Sequence, residues 1–139
     1  RVILYVQEHN PLNVTFDDPD SKLSRQQAIS SAVINLSYSI NAKAIVAETL
    51  TGETALQIVA HRPTIPVIVV SSNNTTVQQI ALVYGTKGYN RPVDPMAATK
   101  LTNWLLTSKV LKKGDTVVTV SGKHPGVVGT TDTIKVRVL

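Results

Sequence analysis

AKAIVAETLTGETALQIVAHRPTIPVIVVSSNNTT, residues 42–76, reads as one βαβ unit. An apolar run (about Ala42 to Ala47) leads into a hydroxyl-rich turn, Thr49-Leu50-Thr51-Gly52-Glu53-Thr54, that opens a helix. Ala55, Ile58 and Val59 supply that helix with a sheet-facing side, and Arg62-Pro63 ends it. A second apolar run follows (about Pro66 to Ser71). Neither run alternates, which is the pattern of strands covered on both faces of a parallel sheet. Hydroxyls and the unpaired first N–H groups of a helix gather where the first strand ends. Such a place suits a phosphate, because the helix dipole favours an anion there. The same hydroxyls also serve as ordinary helix caps, so spacing alone leaves the two readings level.

Outward from this unit, Ser24-Arg25-Gln26-Gln27 forms a capping box, and Ile29, Ala32, Val33, Leu36 and Ile40 fall on one helical face behind it. Residues 1–23 form a lead-in segment and a polar, turn-rich loop. After the second strand, Asn74 can cap a helix whose buried face holds Val77, Ile80, Ala81 and Tyr84, and Gly85 to Tyr89 is a short strand. Asp94-Pro95 marks another helix start, predicting burial of Leu101, Trp104 and Leu105 and an end near Val110. Thr116 to Ser121 is a valine-rich strand, Gly122 to Gly129 a loop, and Thr133 to Leu139 alternates as a half-exposed strand does. The expected fold is α/β, in three layers. Helices cover both faces of an open mixed sheet of about five strands, mostly parallel, with an antiparallel C-terminal edge strand.

A length of 139 residues predicts one domain, 1–139, with enough buried surface to fold without staples. The chain has no cysteine, which removes thiol chemistry, disulfides and cysteine zinc sites, and fits a cytoplasmic setting. The net charge of +5 is scattered, with few aromatics for stacking, so a small phosphate anion is the expected partner and nucleic acid is not. No apolar run reaches the length of a membrane span. The first residue is Arg1 rather than methionine, which favours a domain excised from a longer protein over a stand-alone module.

The expected catalytic set is empty, and so is the metal set. His9, His61 and His124 are far apart and lack ligand spacing, and Asp17, Asp18 and Asp20 lack the glycine and distal glutamate of a calcium loop. No P-loop, dinucleotide fingerprint or nucleophile elbow occurs. Two stretches remain. The turn Thr49, Thr51, Gly52, Glu53 and Thr54 is the first anion candidate, with the Glu53 carboxylate opposing an anion unless it points into solvent. The loop carrying Gly122, Lys123, His124, Gly126 and Gly129 is the second, placed after a strand at the same end of the sheet. A purely geometric role for its glycines is the simpler reading of that loop.

The order of these pieces resembles the C-terminal domain of pyruvate kinase, bacterial type. The resemblance rests on Ala44-Ile45-Val46, then Thr51-Gly52-Glu53-Thr54-Ala55, then Val59 to Val70 with its Arg62-Pro63 and Pro66-Val67-Ile68. It continues through Ile80 to Gly85, Lys113-Gly114-Asp115, Ser121-Gly122 and Gly129-Thr130-Thr131-Asp132, and covers the chain from about Ser24 onward. It implies a regulatory domain that follows a (β/α)₈ catalytic barrel. That barrel binds phosphoenolpyruvate, ADP, magnesium and potassium, while this domain holds no cofactor of its own. It also implies a tetramer interface and a phosphorylated effector, a sugar phosphate or AMP. Thr49, Thr51, Gly52 and Thr54 match the phosphate turn, and Gly122 to Gly129 matches the effector loop. Leu50, Glu53, Lys123 and His124 depart from the fructose-bisphosphate-responsive pattern.

Overall fold

The computed structural model describes residues 25–122 and 131–139. The lead-in segment and Ser24 of the capping box lie outside the described residues, as do Lys123, His124, Gly126 and Gly129. The element order is α1 (Arg25–Ser39), β1 (Ala44–Glu48), α2 (Glu53–Ala60), β2 (Val67–Ser71), α3 (Asn74–Ile80), β3 (Thr86–Asn90), α4 (Ala97–Thr107), β4 (Thr116–Gly122) and β5 (Thr131–Val138).

The five strands form one mixed sheet in the order β3-β2-β1-β4-β5. β3, β2, β1 and β4 are mutually parallel, and β5 runs antiparallel to β4 at the edge. This is the expected α/β architecture. β1 is central, and its side chains divide between two cores. Ile45 and Ala47 pack with Val33, Ile58, Val69 and Ile80 on the side covered by α1, α2 and α3. Ala44 and Val46 pack with Ile68, Val70, Leu101 and Leu105 on the side covered by α4. A strand buried on both faces has no polar side to show, hence its unbroken apolar run.

Helix ends follow local chemistry. α1 closes with Asn41 at φ 53°, its N–H donating to the Tyr38 carbonyl and that of Ala42 to the Ser37 carbonyl. This is the Schellman arrangement, and asparagine tolerates its left-handed position. α4 ends the same way around Lys109 (φ 60°), so it stops at Thr107 rather than near Val110. The cap of α3 is Asn73, one residue before the expected Asn74. Its side chain accepts from the N–H groups of Thr75 and Thr76 at 3.0 and 3.4 Å.

Four expected core residues are corrected. Ala32 and Ala81 are exposed, and so is Tyr84, which lies beyond the end of α3. Instead Ser30, Ile34 and Ser37 join Val33 on the buried face of α1, with the Ser37 hydroxyl donating to the Val33 carbonyl at 2.7 Å. Trp104 is 45% exposed at the rim of α4.

Candidate anion site at the carboxyl end of the sheet

The polypeptide leaves β1 at Glu48, and Thr49 still donates its N–H to the Val70 carbonyl of β2 at 3.1 Å. The turn then reverses through Gly52, the residue before α2, at φ 87°. A Cβ there would stand 3.2 Å from Ile80 Cδ1 and 3.3 Å from Thr76 Cγ2, so the turn sits directly on α3. α3 and the end of β2 also hold the turn by its backbone. The Leu50 carbonyl accepts from the Thr76 hydroxyl at 2.8 Å and from the Ser71 hydroxyl at 3.4 Å. The turn is thus fixed by a different βα unit from the one it joins.

Within it, the Thr49 hydroxyl oxygen accepts from the Gly52 N–H at 3.0 Å, and that of Thr51 accepts from the Glu53 N–H at 3.4 Å. The hydroxyls therefore act as local caps. A threonine oxygen that accepts in this way still has its O–H to donate to an anion. Thr54 is buried in the first turn of α2. Glu53 is exposed, and its carboxylate accepts from Gln57 Nε2 one helical turn on, at 3.3 Å. That carboxylate is drawn along the helix flank.

All five predicted turn residues lie together, and Gly122 ends the neighbouring strand β4, paired with Thr131. β1 and β4 are adjacent and parallel, Ala47 opposite Val120. α2 leaves β1 on one face while α4 leads to β4 on the other, so the two strand ends flank the place where connections part to opposite faces. Open α/β sheets bind ligands at such a point.

The sequence reading passed over Glu48 and gave Asp94 only a capping role. Glu48 is half-buried at the end of β1, in step with Ala44 and Val46 and so on the α4 side. Burial pushes its carboxyl above the ordinary range, and the Asp94 charge adds to this. A hydrogen bond from the Ala98 backbone N–H works the other way. The Asp94 carboxyl is held below its ordinary range by Lys100, with which it forms a salt bridge, and by the Met96 N–H at 2.7 Å. A glutamate closing an otherwise apolar strand was the available signal. Among the described residues, no group of three or more histidine, aspartate or glutamate side chains is placed to hold a metal ion, and no helix is long and apolar enough to cross a membrane.

Comparison with known proteins agrees with this architecture. Residues 27–137 match the family described as pyruvate kinase, alpha/beta domain. Pyruvate kinase 2 of Synechocystis is 35% identical over 122 residues, 86% of this chain and 21% of that protein. The pyruvate kinase of Thermotoga maritima is 37% identical over 120 residues, 79% of this chain and 24% of that protein. That of Geobacillus stearothermophilus is 30% identical over 124 residues, 86% of this chain and 21% of that protein. The chain spans between a fifth and a quarter of the length of these relatives. It belongs to the pyruvate kinase alpha/beta domain family.

Proposed function

We propose that this member of the pyruvate kinase alpha/beta domain family is a regulatory and assembly domain that binds a phosphorylated effector, a sugar phosphate or AMP, at the Thr49–Thr54 turn. The supporting observation is the position of that turn, prebuilt on α3, at the carboxyl end of β1 where the sheet's connections part. A phosphate there accepts from the Thr49 and Thr51 hydroxyls and the start of α2, and Glu53 stays with Gln57. The loop after Gly122 closes the other side in this reading.

Phosphoryl transfer from phosphoenolpyruvate to ADP, with its magnesium and potassium, belongs to a catalytic barrel on the same polypeptide, in a cytoplasmic tetramer. This domain supplies no catalytic residue. β5 is the expected contact between subunits: an edge strand with Val136 and Val138 exposed, Val138 by 71%. Effector occupancy at the end of β4 passes through the β4–β5 pair to subunit packing, provided the two quaternary states differ in effector affinity. The alternative is a stand-alone anion-binding or assembly module of the same fold.

The test is a thermal-shift titration with fructose 1,6-bisphosphate, ribose 5-phosphate, glucose 6-phosphate, AMP and inorganic phosphate, repeated on Thr51→Ala/Thr54→Ala. A saturable rise with one ligand, absent in the variant, supports the effector site. No rise with any of them removes effector binding and leaves assembly.

A further inference from the structure

Away from the anion turn, the opposite edge of the sheet carries two cations on one strand. Lys87, Tyr89 and Arg91 alternate along β3 and its continuation, where the Arg91 N–H donates to the Ser71 carbonyl at 2.9 Å. Alternation puts all three on one face, and Tyr89 joins the core beneath α4. Lys87 Nζ lies 5.6 Å and Arg91 Cζ 5.8 Å from the Tyr89 ring centre. Arg91 Cζ is also 5.2 Å from the ring centre of Trp104, which meets Tyr89 edge-on at 5.5 Å. The guanidinium is steadied by one bond, Nη1 to the Asn90 carbonyl at 2.8 Å.

Neither cation has a carboxylate partner among the described residues. Arg91 is partly buried. A partly buried guanidinium held at cation–π distance from two rings retains N–H donors beyond the one given to the Asn90 carbonyl, and these suit an oxyanion. β3 pairs with β2 alone among the described strands. On its outer side the Thr86 N–H and the Asn90 carbonyl are taken by Val83 and Arg91, and no described strand pairs with Gly88 between them.

We propose that this edge docks an extended acidic peptide segment, which adds to β3 as a sixth strand. Alternate side chains of such a strand face Lys87, Tyr89 and Arg91 in turn, so carboxylates two positions to either side of a small residue meet both cations. The Cα positions of the two cations stand about 13 Å apart along the strand, while both charged groups reach back toward the Tyr89 ring, to 5.6 and 5.8 Å from its centre. Backbone pairing then supplies affinity and the charges supply register. A nucleic acid is the poorer fit, because base stacking needs ring faces and both rings already carry Arg91.

Trp104 is the only tryptophan in the chain, so its emission reads this patch directly. The experiment titrates the full chain with a blocked, threonine-based eight-residue peptide that carries glutamates two positions to either side of an alanine. Further titrations use its N-methylated analogue, the lysine–threonine peptide and oligothymidylate. The expected result is a saturable, salt-sensitive change in Trp104 emission with the glutamate peptide alone, weakened about tenfold by either Arg91→Gln or Lys87→Gln. Circular dichroism checks that each variant keeps its fold, and a misfolded one is replaced by Arg91→Lys, expected to weaken binding because its point charge cannot form the fork. No binding up to millimolar peptide overturns the proposal. Undiminished binding by the variants or by the N-methylated peptide, or tighter binding of the oligonucleotide, overturns it equally.

Discussion

The Thr76 hydroxyl, in the first turn of α3, donates to the Leu50 carbonyl at 2.8 Å, tying the helix after β2 to the turn after β1. The remaining donor to that carbonyl, the Ser71 hydroxyl, stands at 3.4 Å. Thr76→Val keeps the methyl contact beneath Gly52 and removes only the hydroxyl. A partly buried carbonyl deprived of its best donor costs about 1 kcal/mol. The urea midpoint should fall accordingly at unchanged slope, and any effector-induced thermal shift should shrink with it. A midpoint equal to that of the parent chain would show that the bond does not hold the turn.

Gly52 is held by two constraints at once. Its φ of 87° is the left-handed region, which costs an L-residue about 1–2 kcal/mol, and a Cβ there would press on Ile80 at 3.2 Å. Gly52→Ala should therefore destabilise by about 2–3 kcal/mol. A companion variant separates the two terms, because Ile80→Val in the alanine background should recover part of the loss. No recovery would assign the whole cost to the backbone.

The parallel sheet was legible because β1 and β2 are apolar on both faces, and β5 because Thr133 to Leu139 alternates. The anion turn was legible as a string, since all its residues are contiguous. Its anchoring was not, because Thr76 and Ser71 reach Leu50 from 26 and 21 residues away. Glu48 and Asp94 were missed as a pair for the same reason: they are 46 positions apart in sequence, 94 less 48, and meet only when α4 crosses the sheet. Tyr84 and Trp104 misled because periodicity places a residue on a helix face without saying where the helix stops or how far its neighbours cover it.

Leu101 and Trp104 give an ordering that inverts their sizes. Leu101 is wholly buried between α4 and the sheet, whereas Trp104 is 45% exposed and contributes mainly its edge contact with Tyr89. Leu101→Ala should cost about 3 kcal/mol and Trp104→Ala about 1. Chemical denaturation of the two variants, read by circular dichroism, checks this. A larger loss at Trp104 would mean that the rim, not the interior, holds α4 in place.

Glu48 and Asp94 should move stability with pH in opposite senses. Burial and the Asp94 charge raise the Glu48 carboxyl above its ordinary 4.5, so the folded state binds that proton more tightly than the unfolded chain. Its contribution is present in full below 4.5 and is lost as pH rises through the raised value. Asp94 is lowered from 3.8 by Lys100 and Met96, so its contribution is present above 3.8 and is lost as pH falls through the lowered value. Glu48→Gln keeps an acceptor for the Ala98 N–H and removes the charge. It should raise the urea midpoint at pH 7 and flatten the decline that the parent chain shows as pH rises from 4.5. Asp94→Asn should steepen neither limb, and should lower the midpoint at pH 7 while leaving it unchanged at the acid end. Parallel pH profiles for Glu48→Gln and the parent would show that Glu48 is solvated well enough to ionise freely, and that burial at the end of β1 does not govern it.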